Sequence, residues 1–186
     1  MKKILVAITG ASAMLYLQSF LEMLQEEEVV VHGICSESGE KVLEIEHDST
    51  PENLPAVSKW FSCQDFAAAP ASGSAGYDAM VIIPCSMGTL ASIASGITGN
   101  LVHRAADVML KEKKKLLLVT RETPLNRTHL KNMLAAHDAG AVICPPHPGF
   151  YLKPENLEEA ALTFSWRLGD QLGLSMKNRK RWGDEA

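Results

Sequence analysis

The chain opens with a continuous apolar run, Ile4-Leu5-Val6-Ala7-Ile8, that stops at Thr9-Gly10. A short run of this kind predicts a strand buried on both faces. Leu15, Leu17, Phe20, Leu21 and Leu24 then recur at helical spacing and predict a helix over 14–24. A second strand is expected over 29–35 and a helix over 37–46. Residues 48–77, rich in Pro, Ser, Gly and Ala, read as connection with one short strand near Trp60. Alternation resumes at Ala79-Met80-Val81-Ile82-Ile83, another buried strand, followed by a small-residue turn and helices over 87–112. Strands at 116–120 and 141–144 flank a helix at 127–137. A last helix is expected from Pro154, a good first-turn residue, to Leu172.

Strands alternating with helices imply βαβ units and a mostly parallel, doubly wound sheet. No repeat or internal boundary interrupts the pattern, so one domain over 1–186 is expected, with a C-terminal tail over 174–186. The 186 residues are enough for a core without staples, and 46% apolar against 22% charged is ordinary globular usage. A formal net charge of −4 gives no support for nucleic-acid binding. The basic clusters Lys111–Lys115 and Asn178–Arg181 read as solvated faces. No apolar run has the length of a membrane span, and Met1-Lys2-Lys3 followed by a strand-length run is a poor signal peptide. Cys35, Cys63, Cys85 and Cys144 form no C-x-x-C pair, which suggests reduced thiols in a cytoplasmic protein.

In such sheets ligands sit beyond the carboxyl ends of the strands. Thr9-Gly10-Ala11-Ser12 joins a strand to a helix, with Gly10 permitting a tight turn and the helix offering free N–H groups to an electronegative ligand edge. The three-glycine dinucleotide spacing is not met, and Ser12 reads equally well as a plain N-cap. Pro84-Cys85-Ser86-Met87-Gly88-Thr89 is a second such turn; Cys85 there reads as a small core residue rather than a nucleophile. Arg104, Lys111, Arg121 and Arg167 form a cationic set suited to phosphate, although most helical arginines are simply solvated. Glu122 is a proton donor or acceptor, or a surface acid. Three prolines stiffen the loop from Pro145 to Tyr151, and His147 within it has no partner at metal-ligand spacing. Glu46-His47-Asp48 ends a helix and could supply a carboxylate. No acidic cluster of the Mg²⁺-dependent prenyl transferase kind is present, and no metal is expected. Taken together, these residues point to a small-molecule α/β enzyme with phosphate-bearing ligands.

The motifs in series resemble the UbiX-type flavin prenyltransferase family over essentially the whole chain. They are TGAS at 9–12, Glu46 with Asp48, PASGS at 70–74 and PCSMGTL at 84–90. NLVHRAADVMLKE at 100–112, RETPL at 121–125, GAVICPPHPGFY at 140–151 and Arg181-Trp182-Gly183 complete the series. The resemblance implies a Rossmann-like (flavodoxin-like) three-layer α/β sandwich. It also implies reduced FMN and dimethylallyl monophosphate as substrates. The dimethylallyl group would bond to flavin N5 and close onto C6, and the prenylated FMN would serve a UbiD-type decarboxylase. Family members form large symmetric assemblies, commonly homododecamers.

Carried over by position, Gly10, Ala11, Ser12, Ser36, Ser86, Met87, Gly88, Thr89 and Arg121 would bind FMN. Ser12 and Glu46 would handle the proton and ring orientation near N5. Lys111, Tyr151 and Arg167 would hold the dimethylallyl phosphate, with Arg104 and Glu122 contributing across a subunit boundary. Glu122 would assist departure of the phosphate as a general acid, and Trp182 would pack near the same site. This chain departs from the family pattern at Ala13, where glycine is usual, and again at Met14, Leu15 and His103. If position 13 needs φ > 0, Ala13 carries a cost. The competing readings are an FMN-dependent cysteine decarboxylase and a non-catalytic FMN carrier. The decarboxylase is disfavoured because Gly73-Ser74 stand where its P-x-S-A-N-T segment has asparagine. The carrier is disfavoured because flavin binding alone needs no second phosphate clamp.

Overall fold

The computed structural model describes residues 1–176 and 179–183. Six parallel strands form one sheet: β1 (Lys2–Ile8), β2 (Val29–Cys35), β3 (Val57–Ser62), β4 (Ala79–Cys85), β5 (Lys115–Thr120) and β6 (Val142–Ile143). Their order is β3-β2-β1-β4-β5-β6, so the chain reverses its direction of travel across the sheet at the β1–β4 seam. Six helices cover it: α1 (Met14–Gln25), α2 (Glu37–His47), α3 (Met87–Ala94), α4 (Leu101–Lys111), α5 (Arg127–Asp138) and α6 (Leu157–Leu172).

Side chains of the central strands alternate between two cores. Ile4, Val6, Ile8, Val81, Leu117 and Val119 meet Leu17, Phe20 and Leu21 of α1 and Phe164 and Leu168 of α6. Leu5, Ala7, Met80, Ile82, Leu116 and Leu118 meet Leu90 of α3, with Leu101, Ala105 and Met109 of α4 and Ala136 of α5. Both faces of the sheet are therefore dry, which is why the central strands read as unbroken apolar runs. Helices α4 and α6 lie on opposite faces, an arrangement that bears on the cationic residues they carry.

The expected elements form, with differences that have local causes. The 87–112 stretch is two helices, α3 ending at Ala94 and α4 starting after Asn100, whose side chain accepts from His103 N–H at 3.0 Å. The last helix begins at Leu157 rather than at Pro154, because Asn156 takes the cap and accepts from Glu159 N–H at 2.8 Å. The 141–144 strand contracts to two residues. The short strand near Trp60 is the six-residue edge strand β3, with Trp60 lying against Gly33 of β2, where any Cβ would collide with the indole. The tail residues 177–178 and 184–186 lie outside the described residues, as does Asn178 of the basic cluster.

At the seam, buried Thr9 ties the two halves of the sheet together. Its hydroxyl donates to Pro84 O at 2.8 Å and accepts from Ser86 N–H at 2.8 Å, while its own N–H donates to Pro84 O at 3.2 Å. Valine keeps the shape of threonine but loses both hydroxyl bonds and strands the Ser86 N–H. Thr9→Val is therefore expected to cost about 1–3 kcal/mol in urea unfolding. A loss below about 0.5 kcal/mol, the scale of an ordinary surface substitution, would remove this role.

Candidate functional site

At the carboxyl edge of the sheet, the N-termini of α1, α2 and α3 converge on the seam. Ser36 caps α2, accepting from Gly39 N–H at 3.0 Å, and Ser36 N–H donates back to Ile8 O at 3.0 Å. Ser86 caps α3, accepting from Thr89 N–H at 3.3 Å and donating to Thr89 Oγ1 at 3.1 Å. Three hydroxyl-bearing helix ends thus surround one edge, where N–H groups and dipoles favour an electronegative ligand. Arg121 leaves the end of β5 beside them, exposed, its backbone N–H reaching Cys85 O at 3.4 Å. A cleft of about 680 Å³ opens on the β2–β3 side of this edge, lined by Ser36, Trp60, Ser62, Cys63, Gln64 and Asn100 among others. Of the expected flavin residues Ser36 alone lines that cleft; the rest lie around the seam.

Ser12 is not the N-cap of α1. Ala13 holds that position without a side-chain cap bond, at φ 112° and ψ 34°. Its left-handed backbone carries the cost anticipated for a non-glycine residue, on the order of 1–3 kcal/mol. The cap comes instead from another helix. Glu46, in the last turn of α2, accepts from Ala13 N–H at 3.1 Å and Met14 N–H at 2.9 Å through Oε2. The Ser12 hydroxyl is hydrogen-bonded to the same carboxylate. Burial by itself would raise the Glu46 pKa, but the Ser12 and backbone bonds outweigh it and hold the carboxyl below its ordinary range. The pair expected near the flavin therefore exists, and it also secures the turn that presents it.

Gly10 serves packing rather than a special backbone angle: a Cβ there would come within 2.6 Å of Ser38 Cβ on α2. Gly88 differs, since a Cβ on it would meet nothing within 4 Å. Neither conformation nor packing within the chain calls for glycine at 88, which fits close approach of a ligand. The donor set fits FMN: hydroxyls and helix ends for its phosphate and polar edges, Arg121 for an anion, and a Ser–carboxylate pair for a ring nitrogen. Ala11 completes the turn, its N–H donating to Thr9 O at 2.8 Å, and Met87 packs partly into the α3–α4 core. Cys85 is fully buried, and burial pushes its thiol up to about 12, in keeping with a small core residue.

The cationic residues fall into two groups. On the α4 face, Arg104 Nε donates to Ala71 O at 3.1 Å and its Nη1 to Asp107 at 2.8 Å, so it braces the PASGS segment. Lys111 pairs with Glu112, against which Gly73 is packed. Helix α4 runs from beside Cys63, whose carbonyl accepts from Leu101 N–H at 2.8 Å, back toward the start of β5. Lys111 is therefore roughly 10 Å of helix beyond Arg104, toward the amino edge of the sheet. On the α6 face, Gly149 N–H donates to Thr163 Oγ1 at 2.8 Å, fastening the Phe150–Leu152 turn over α6. Thr163 and Arg167 are one helical turn apart, which puts Tyr151 and Arg167 on one side. Trp182 meets the Tyr151 ring edge-on, with centroids 5.0 Å apart. Glu122 is exposed, its Oε1 accepting from Thr123 N–H at 2.9 Å. One copy of the chain thus sets Tyr151 against Trp182 on the α6 face that carries Arg167, but does not bring Lys111 or Arg104 there, because the sheet lies between. Sequence reasoning missed Thr9 as a strand tie and Asp107 and Asp170 as arginine partners. The only signal for Thr9 was a hydroxyl residue closing an apolar strand.

Among the described residues no group of three or more His, Cys, Asp and Glu side chains could hold a metal, and no helix is long and apolar enough to cross a membrane. Residues 1–160 match the model of the Flavoprotein family, so the chain is a member of that class. Within it, the chain belongs to the UbiX-type flavin prenyltransferases. It is 42% identical over 181 residues, 97% of this chain and 89% of the other, to a probable UbiX-like flavin prenyltransferase of Bacillus subtilis. The crystal structure of AnUbiX (PadA1) in complex with FMN and dimethylallyl pyrophosphate is 40% identical, with a TM-score of 0.95, covering 100% of this chain and 99% of that one. A dodecameric FMN-dependent UbiX-like decarboxylase from Escherichia coli O157:H7 is 38% identical with a TM-score of 0.92, over 98% of this chain and 100% of that one.

Two outcomes follow from this geometry. Because the folded pKa of Glu46 is depressed, its contribution to stability is complete above about pH 4.5 and is lost as the pH falls below that. Glu46→Gln should therefore cost about 1 kcal/mol at pH 7, a cap's worth, with the gap to wild type closing as the pH falls below about 4.5 in urea titrations. A gap unchanged with pH would contradict the ionised cap. Gly88→Ala should leave the melting temperature unchanged or raised while weakening FMN binding roughly tenfold, since the new methyl occupies ligand space. Equal loss of stability and binding would mean that the glycine serves the fold.

Proposed function

We propose that this chain, acting as one flavoprotein unit with its C-terminal tail, transfers a dimethylallyl group from dimethylallyl monophosphate to reduced FMN. The product, prenylated FMN, would pass to a UbiD-type decarboxylase. Bound reduced flavin supplies an electron-rich ring as the nucleophile. Gly10, Ala11, Ser36, the 86–89 turn and Arg121 hold it at the seam. Ser12 and Glu46 orient its ring and move the proton there. Breaking the allylic C–O bond releases a phosphate dianion, and cationic side chains fixed in advance stabilise that developing charge. Lys111, Arg104 and Arg167 do this in place of a metal, Tyr151 offers its hydroxyl to the same phosphate, and Glu122 donates a proton to it as it departs.

The observation that carries this reading is the split of the cationic residues between the two faces of the sheet. A phosphate held by Lys111 as well as Arg167 needs α4 of one copy set against α6 of another, so the active form is a closed homo-oligomer. The dodecamer of the E. coli relative is the assembly we assign to it, and its free thiols suit the cytoplasm.

Anaerobic incubation with reduced FMN and dimethylallyl monophosphate should give extracted flavin heavier by one C₅H₈ unit. The pyrophosphate donor bound by AnUbiX serves as the comparison. Unaltered FMN would favour a carrier instead. Arg121→Ala and Lys111→Ala should each lower turnover by roughly a hundredfold or more with the fold intact. Lys111→Ala co-expressed with Arg167→Ala should recover part of the activity, because some shared sites then receive one intact half from each chain. No recovery would place both residues in the site of a single copy.

A further inference from the structure

Asp170 lies in the last turn of α6, three residues after Arg167, and no role for it follows from the site described so far. Its Oδ2 accepts from Arg167 Nη1 at 2.8 Å, and its Oδ1 pairs with Arg179 Nη1. The Asp170 and Arg179 side chains are only 20% and 10% exposed, whereas Arg167 is 63% exposed. The carboxylate and the tail arginine therefore form a sheltered base from which the exposed guanidinium extends. Three residues beyond Arg179, Trp182 stands edge-on to Tyr151. A single carboxylate is thus tied to both sides of the Tyr151–Arg167 pair: directly to the arginine, and through Arg179 to the segment that brings in the indole.

We infer that Asp170 is a positioning residue for the donor phosphate, one that fixes the Arg167 guanidinium and seats the tail through Arg179. The inference rests on the assignment of Tyr151 and Arg167 to that phosphate. An unrestrained arginine must lose its rotamer freedom when it meets an anion; one already held by a carboxylate has lost it beforehand. The bond to Asp170 uses one N–H of Arg167 and leaves the rest of its five-donor fork for oxygens of the substrate. Two guanidiniums against one carboxylate leave the cluster cationic, so the restraint does not cancel the attraction for a dianion. The carboxylate is held by two charged donors, and an isosteric amide would present an N–H to one of them. Asp170→Asn therefore disturbs the arginines without removing volume.

The test is steady-state prenylation by the assembled, FMN-loaded enzyme. Asp170→Asn should raise the KM for dimethylallyl monophosphate about tenfold, the worth of a charge-assisted hydrogen bond, while kcat and FMN affinity change less than about twofold. In an Arg167→Ala, Arg179→Ala background, adding Asp170→Asn should have no further effect on KM, because no partner remains for it to position. A purely structural carboxylate would instead lower FMN affinity and kcat, or still act in that background, and either result overturns the inference. Arg167→Ala alone separates the two layers of the argument. An unchanged KM there overturns the phosphate assignment and this inference with it. A raised KM there, with an unchanged KM in Asp170→Asn, overturns the inference alone.

Discussion

The structure depends on the seam between β1 and β4, where Thr9 holds two diverging halves of a parallel sheet in register. From that line the chain winds outward in both directions. The helices α1 and α3 start there, at the carboxyl edge of the sheet. A hydroxyl at the end of β1 is therefore the hinge pin of the site as well as of the sheet. It spans to the carbonyl of Pro84 and to the amide of Ser86, and so fixes how far apart the α1 and α3 ends stand.

A second consequence of the same winding is electrostatic. Crossovers on opposite faces carry α4 and α6 away from each other, and with them Arg104 and Lys111 on one side and Tyr151 and Arg167 on the other. Within one copy these side chains find local partners instead: Asp107 for Arg104, Glu112 for Lys111, Asp170 for Arg167. The two pairs on α4 are open to solvent and worth little to stability. On the proposed function, they keep long cationic side chains extended and ready for an anion brought between two subunits. Glu46 likewise serves twice, one carboxylate both capping α1 and bonding Ser12.

Much of this was legible in the residues. Strands β1, β4 and β5 announce themselves because both of their faces are buried, which leaves no polar position to break the run. Edge strand β3 was only half visible, since its pattern mixes Ser58 and Lys59 with Trp60 and Phe61. β6 keeps two residues, paired to β5 at the other edge. The sequence posed the question at Ala13 and the backbone answers it: the left-handed turn is kept without glycine, and Glu46 restrains it. Ser12 read as a cap because capping is local and common, whereas its true replacement arrives from 33 positions away. Thr9, Gly10 against Ser38, and Asp170 between two arginines all depend on which elements become neighbours, and periodicity carries no record of that.

On the proposed function, the donor phosphate sits between copies of the chain, over a flavin held at the seam. A crystal structure of the assembly with FMN and dimethylallyl monophosphate tests it most directly. Phosphate oxygens should lie within hydrogen-bonding reach of Tyr151 and Arg167 from one copy and Lys111 from another, with Arg121 turned to the flavin. A phosphate bound by a single copy, or Lys111 left facing solvent in the closed assembly, would contradict it.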